Sequence, residues 1–470
     1  MYTLDNVVPS TVTACSIFFV ALGIGYLWRS NSKAHHKLPP GPSRLPLLGN
    51  VLQVPGKHLT TYFRRMVEEY GGLVSLKLAG STVILVGDLK LAKHLLEKHS
   101  AKHSSRPVLP YVRKYVDPEN DFWALGEECE SHSLGRKLTT GIMSLVRVGK
   151  TEPLQEYEAA LNVQHLLGDG GKDWFHHIER VASSTVLTAA FGMHCPTGRE
   201  LELKTFLDVL AEAIHLVTPN ASIINKFPFV DLIPGPMPWR ARAQSFRKRL
   251  DILYEKLLDD ALTGKASGMN TEIDYVVGTD RLPTFKDRPL LPYVEAIVRV
   301  RAGAPHQSTA DDVIEHQGEQ YFIPKGSIIF AVTWAIEHDQ SKFEDHERFM
   351  PERFLDSEGN LKPNYETSVY GFGRRLCPGI PFGERLLWIN IVTMLWTFNI
   401  RASDEIDPKT ALPFQYDDSN AAFNGDLAKS PLKFPAVFEP RSSLRAEVAM
   451  REWIECEKDL NVLMPVMKDS

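Results

Sequence analysis

Residues 370–379 read YGFGRRLCPG, and no other stretch of the chain constrains its backbone so tightly. Gly371 and Gly373 permit tight or left-handed turns that other residues resist, so the chain can curl around the sulfur of Cys377. Amides presented by such a curl can hydrogen-bond to a thiolate and set its electron donation. Pro378 lacks an N–H and suits the first turn of a helix. The run that follows, IPFGERLLWINIVTMLWTF, is apolar enough to be a buried helix. Cys377 then lies near that helix's amino end, where the dipole favours thiolate over thiol. Gly379 withholds a side chain where a flat group could lie, and Arg375 could neutralise a carboxylate. The glycines do not make a dinucleotide fingerprint, because the third would fall on Leu376. Zinc would need partner ligands close by in sequence, and a nucleophilic cysteine would want a base; neither is there. An inert buried cysteine explains none of the glycines. The pattern fits a thiolate held against a planar, acidic metal cofactor, which is haem.

The remaining cysteines, Cys15, Cys129, Cys195 and Cys456, are scattered and form no CxxC pair. A disulfide scaffold is therefore not expected, and reduced, cytosol-facing thiols are. A net charge of −5 gives no reason to expect nucleic acid as a partner. From Asn6 to Trp28 there is no charged residue, and Arg29, Lys33 and Lys37 follow at once. That run can cross a bilayer of ~30 Å, and the basic flank puts the body in the cytosol. A cleaved signal peptide is the rival reading, weakened by the lack of a basic n-region. Residues 1–30 are thus expected to be a membrane anchor contacting lipid. LPPGP, Leu38 to Pro42, then reads as a stiff connector or as a plain proline-rich linker.

Beyond the connector, Leu73 to Gly87 reads as two short strands around Gly80, and DLKLAKHLLEKHS as an amphipathic helix. Trp174 to about Leu262 is mostly helical, broken by FPFVDLIPGPMPW, Phe227 to Trp239. This break is read as a loop on a membrane, at a pocket mouth, or buried. Tyr321 to His338 reads as strand, turn and helix start. The body, 31–441, is expected to be mainly α with a minor β component. Residues 442–470 form a C-terminal extension with helical spacing, read as an extra surface helix.

The cysteine stretch resembles the haem-binding signature of the cytochrome P450 superfamily, Phe-x-x-Gly-x-Arg-x-Cys-x-Gly. Gly373, Arg375, Cys377 and Gly379 match it, and Tyr370 stands where phenylalanine is usual. LPPGP is similar to the family's hinge after the anchor, and FEDHERFMPERF to the segment carrying a structural arginine, here Arg353. The stretches RLPTFKDRPLLPYVEAIV and PHQSTADD resemble those of microsomal enzymes, particularly fungal ones of secondary metabolism. Coverage runs to about Arg441. The resemblance implies the cytochrome P450 fold behind one N-terminal transmembrane helix, with the catalytic body on the cytosolic side of the endoplasmic reticulum. It implies haem b with Cys377 as the iron ligand, and Arg375 and His306 at the propionates. Electrons would come from NADPH through a cytochrome reductase docking near Arg374 and Arg385. The implied reaction is oxidation of a small hydrophobic substrate with dioxygen.

The chain departs from this pattern in three places. The family's oxygen-activating helix carries an acid followed by threonine, but the only such pair here is Glu366–Thr367, ahead of the cysteine loop. The helix would fall between LLDDALTGKASGM and TEIDYVVGTDRLP, which abut near residue 270, so no catalytic acid is assigned. The Glu-x-x-Arg pair that would bind Arg353 is also not found. Glu295 and Arg299 are four apart, and a second deletion is read at 299–303. Finally, Cys129 and Ser133 stand where a Trp-x-x-x-Arg pair would hold a propionate, with Arg136 able to take over after a shift. Two functions follow: an active haem-thiolate monooxygenase, or a catalytically inactive haem-binding pseudoenzyme or truncated splice or gene-model product.

Overall fold

The computed structural model describes residues 37–464, apart from 263–279, 292–303 and short stretches. These are 47, 56–57, 79–80, 108, 120–125, 148, 217–220, 227, 347, 349, 359, 363–367, 408–409, 411, 417–421 and 425–429. The expected anchor, the junction near 270, Glu295, Arg299 and the Glu366–Thr367 pair lie outside the described residues. Among the described residues, no helix is long and apolar enough to cross a membrane.

Helix α1 (Leu59–Tyr70) leads into the expected hairpin, β1 (Leu73–Leu78) and β2 (Ser81–Val86), paired antiparallel with Leu73 opposite Val86. Successive side chains on a strand point to opposite faces, and both faces here are buried. Val74, Leu76, Val83 and Leu85 pack on Tyr62, Phe63 and Met66 of α1. Leu73, Ile84 and Val86 pack on the other side against Leu91, Leu95 and Leu96. Those leucines belong to α2 (Leu89–Lys93), capped by Asp88, whose carboxylate accepts from the Leu91 N–H at 2.7 Å, and to a π-helical turn, His94–Lys98. A short α3 (Ser100–His103) follows. The expected amphipathic helix is therefore present, wound in three pieces.

The helical body comprises α4 (Glu130–Arg147), α5 (Glu152–Asp169), α6 (Trp174–Phe191), α7 (Leu201–Leu216) and α8 (Pro238–Leu262). The proline-broken loop before α8 is not buried at its tip. Leu232 is 84% exposed and Ile233 also faces solvent, while Asp231 beside them accepts from Tyr115 and Arg240.

Strands β3 (His306–Gln307), β4 (Asp312–His316), β5 (Glu319–Ile323) and β6 (Ile328–Ala331) come next. β6 runs parallel to β2 and antiparallel to β3, giving a sheet of order β1-β2-β6-β3, and β4 and β5 form their own hairpin. Helix α9 (Thr333–Glu337) closes the strand-turn-helix unit. The long α10 (Ile380–Thr397) buries Trp388 and Ile389 completely, as its composition predicts. It runs into β7 (Phe398–Ala402), which pairs with β8 (Ala436–Pro440).

The C-terminal extension departs from expectation. Helix α11 (Ser443–Glu455) is capped by Ser442 and buries Val448 and Ala449. Cys456, Leu460 and Leu463 then join Leu154, Tyr157 and Leu161 of α5 in one buried cluster. Its apolar spacing puts it in the core, so it is more than a surface addition.

Candidate functional site

The cysteine loop starts from a fixed base. Ser368 donates through both its N–H and its hydroxyl to Glu337 Oε1 on α9, at 2.6 and 2.7 Å. Gly371 and Gly373 take φ of 80° and 55°, the left-handed region that favours glycine. A Cβ on Gly373 would come within 2.1 Å of the Leu96 carbonyl oxygen, so this residue lets the loop lie flat on the π-helical turn. Phe372 is 2% exposed and enters the cluster between sheet and α2. The Cys377 N–H donates to the Tyr370 carbonyl at 3.0 Å and closes the curl.

The sulfur is left facing outward: Cys377 is exposed and a free thiol, just before the amino end of α10. A Cβ at Gly379 would meet Cys377 Sγ at 3.8 Å and nothing nearer, which keeps the surface beside the sulfur low. Gly379 is the N-cap of α10, and Pro381, not Pro378, takes the first-turn position.

Cations gather next to this loop. Arg375 is buried and donates from Nε to the Ser104 carbonyl (2.8 Å) and from Nη2 to the Gly126 carbonyl (3.1 Å). Arg106 is also buried and gives Nη1 to the carbonyls of Pro305 (2.5 Å) and Ala304 (3.1 Å). Its Nε has no hydrogen-bond partner among the described residues. Burial, then Arg375 and Arg136, bring the Arg106 guanidinium down to about 10. His132 is pushed below its ordinary range by burial and by the same two arginines. Like charges held together in a dry space call for an anion. A cofactor with an iron for the thiolate and carboxylates for these cations satisfies both requirements, so the residues fit haem.

Arg375 and His306 meet neighbouring carbonyls, those of Ser104 and His103. His306 is 2% exposed in β3, its Nδ1 2.9 Å from the His103 carbonyl. On α4 the structure corrects the register. Ser133 turns its hydroxyl back to the Cys129 carbonyl, whereas Arg136 donates to the Leu376 carbonyl at 2.8 Å, next to the sulfur. His132 lies one turn before Arg136, so the i, i+4 pair is His132–Arg136. That spacing was the signal available in the sequence; Arg106, known there only as a residue before proline, gave none. Of the two docking arginines, Arg374 is exposed beside Glu128 (3.3 Å). Arg385 is instead tied to the Val146 carbonyl and to Glu152 (3.4 Å).

A pH dependence follows from His306. Burial first, then Arg106, pushes it down to about 3, whereas unfolded histidine titrates near ~6.5. The unfolded chain therefore binds the extra proton between those values. The stability tied to neutral His306 is full above about pH 6.5 and falls as pH drops, by up to ~1.4 kcal/mol per unit. The haem-free chain is expected to lose about 2 kcal/mol through this residue between pH 7 and 5. In urea midpoints across that range, His306→Asn should show a correspondingly shallower slope.

An exposed cysteine on a glycine-turn loop, backed by buried arginines and set ahead of a buried helix, defines a haem-thiolate protein. The chain belongs to the cytochrome P450 family, whose profile, described as Cytochrome P450, matches residues 39–260 and 267–419. Among its relatives is a cytochrome P450 monooxygenase of Armillaria gallica, 28% identical over 86% of this chain and 89% of the relative. Cytochrome P450 monooxygenase peniB of Penicillium patulum is 28% identical, over 90% and 88%. Cytochrome P450 monooxygenase verL of Clonostachys rogersoniana is 26% identical, over 96% and 95%. The last alignment runs over 535 positions, more than the 470 residues of this chain. The relative therefore carries internal residues that this chain lacks. Family and relatives together make the chain an enzyme of the monooxygenase class.

Proposed function

We propose that this chain is a haem-thiolate monooxygenase that oxidises a small hydrophobic substrate of the secondary-metabolite kind. The observation that carries it is the Cys377 sulfur, presented outward on a closed loop beside buried cations. Cys377 would hold the iron of haem b, and Arg375, Arg106, Arg136, His132 and His306 would face its carboxylates. Thiolate-ligated haem iron supplies reductive cleavage of dioxygen and transfer of one oxygen atom to substrate. The chain's own part is to hold the sulfur at the amino end of α10, neutralise the carboxylates and pack Phe372 behind the loop. NADPH would deliver electrons through a reductase on the face that presents Arg374. The uncharged run from Asn6 to Trp28 and the exposed Leu232 support attachment to the endoplasmic reticulum membrane, with the body in the cytosol.

A second reading, a chain of this family without turnover, is favoured by Arg353. Its guanidinium donates to the carbonyls of Met350, Glu344, Asp345 and Arg348, and it pairs with no carboxylate among the described residues. The family match breaks at 261–266, and alignments to relatives outrun the chain. The first supports a deletion near 270, and the second supports internal residues missing from this chain, which would include the oxygen-activating acid and the Glu-x-x-Arg pair.

The reduced, carbon-monoxide-bound difference spectrum of the full chain, followed by NADPH consumption with a fungal reductase, separates the readings. The first expects a thiolate-type Soret band and oxygen-dependent NADPH use. A band without NADPH use, or no haem at all, selects the second.

A further inference from the structure

Behind the cysteine loop, α3 and β4 bring two histidines and an aspartate together. His99 Nδ1 and His103 Nε2 lie 2.7 and 3.0 Å from the same oxygen, Asp312 Oδ2. The candidate ligand atoms of the three residues all fall within 4.8 Å of one another. His103 is 0% and Asp312 4% exposed at the side chain. His99 is the N-cap of α3 and His103 its last residue, so one short turn of chain supplies both.

The other nitrogen of His103 gives a second, independent observation. Nδ1 lies 2.9 Å from Ser308 Oγ, and Ser308 donates its one proton to the Ala310 carbonyl at 2.8 Å. When Ser308 spends its proton on Ala310 it accepts from Nδ1, and Nε2 of the neutral ring then offers its lone pair towards Asp312, where a cation would bridge the two. A donor chain from the distal ring nitrogen to a hydroxyl and a carbonyl is also the arrangement that orients metal-bound histidines.

We infer that His99 Nδ1, His103 Nε2 and Asp312 Oδ2 form a site for a divalent cation of the zinc class. Three such ligands leave one tetrahedral position open, on the side where His99 is partly exposed. Bonds of ~2.0 Å need ligand atoms roughly 3.3 Å apart, so His99 has only to swing outward slightly. Lys102 is the competitor: its ammonium holds the other oxygen, Oδ1, at 2.5 Å and is 43% exposed. The His94 ring lies tilted at 43° against His99, the centroids 4.5 Å apart. The site adjoins the haem cradle, because His103 and Ser104 offer the carbonyls that accept from His306 and Arg375. An ion here would hold α3, and so those two residues, in place.

The test uses the full chain, stripped with chelator and titrated with zinc against a chromophoric competitor, a readout independent of haem content. One zinc per chain is expected, bound at least about tenfold more weakly by His99→Gln and more tightly by Lys102→Gln, which removes the competing ammonium. An ion-pair latch with no metal role predicts no zinc retention in any of the three. Absence of zinc from the wild type, equal affinity in His99→Gln, or no tightening in Lys102→Gln each overturns the assignment.

Discussion

Replacing Cys377 with alanine is expected to abolish the thiolate-type band of the carbon-monoxide complex while leaving the fold intact. The loop's shape does not use the sulfur. Ser368 holds its base, Phe372 its interior, Gly373 its approach to Leu96, and a main-chain bond to Tyr370 its closure. Far-ultraviolet circular dichroism and the melting temperature of the haem-free variant should therefore match those of the wild type. Other thiols are poor substitutes. Burial pushes Cys195 up to about 12 and Cys456 up to about 11, so neither offers a thiolate near neutral pH. Cys129 is partly exposed, which makes Cys129→Ala the control. A thiolate band that survives in Cys377→Ala and disappears in Cys129→Ala would move the iron to Cys129, just ahead of α4, and refute the loop assignment.

The cysteine loop was legible in the sequence because glycine and proline constrain the backbone locally. Gly371 and Gly373 could be placed in left-handed turns without knowing what they touch. The β1-β2 hairpin and α10 were legible for a related reason, since their apolar runs suit few other structures. What escaped depends on pairings across long separations. Arg106 sits 198 residues from Ala304, its carbonyl partner, and nothing within the segment 104–107 signals that. On α4, expecting tryptophan drew attention to Cys129 and Ser133, whereas the spacing of His132 and Arg136 alone picks out the correct face. Pro378 and Pro381 both suit a helix start, so only the fold decides between them. After Ser442, helical spacing does not say what the apolar face meets, so a surface helix and a core helix read alike. The answer, α5, lies almost three hundred residues earlier.

Glu158→Gln is expected to destabilise the chain by about 3–5 kcal/mol, the cost of leaving one partner of a buried pair uncompensated. Glu158 on α5 and Arg180 on α6 are both 0% exposed, and Arg180 Nη1 donates to Oε2 at 2.5 Å. Ser184 donates to Oε1 at 2.7 Å and accepts from the Cys195 N–H at 3.1 Å, so the carboxylate also fixes the turn after α6. Glutamine keeps the shape but removes the charge, stranding a guanidinium whose Nε has no hydrogen-bond partner among the described residues. Against a usual stability of ~5–15 kcal/mol, that loss moves the urea midpoint far enough to deplete folded protein. The cause is separable from bulk and packing. If the stranded charge is responsible, Glu158→Gln combined with Arg180→Met should recover much of the loss, because no uncompensated buried charge is then left. If the two losses simply add, the damage is to α5–α6 packing and the electrostatic account is wrong. α5 also carries Gln155, which donates to the Phe382 carbonyl at 3.1 Å at the start of α10. Loosening α5 should therefore lower haem retention by the cysteine loop ahead of α10 before it lowers helix content.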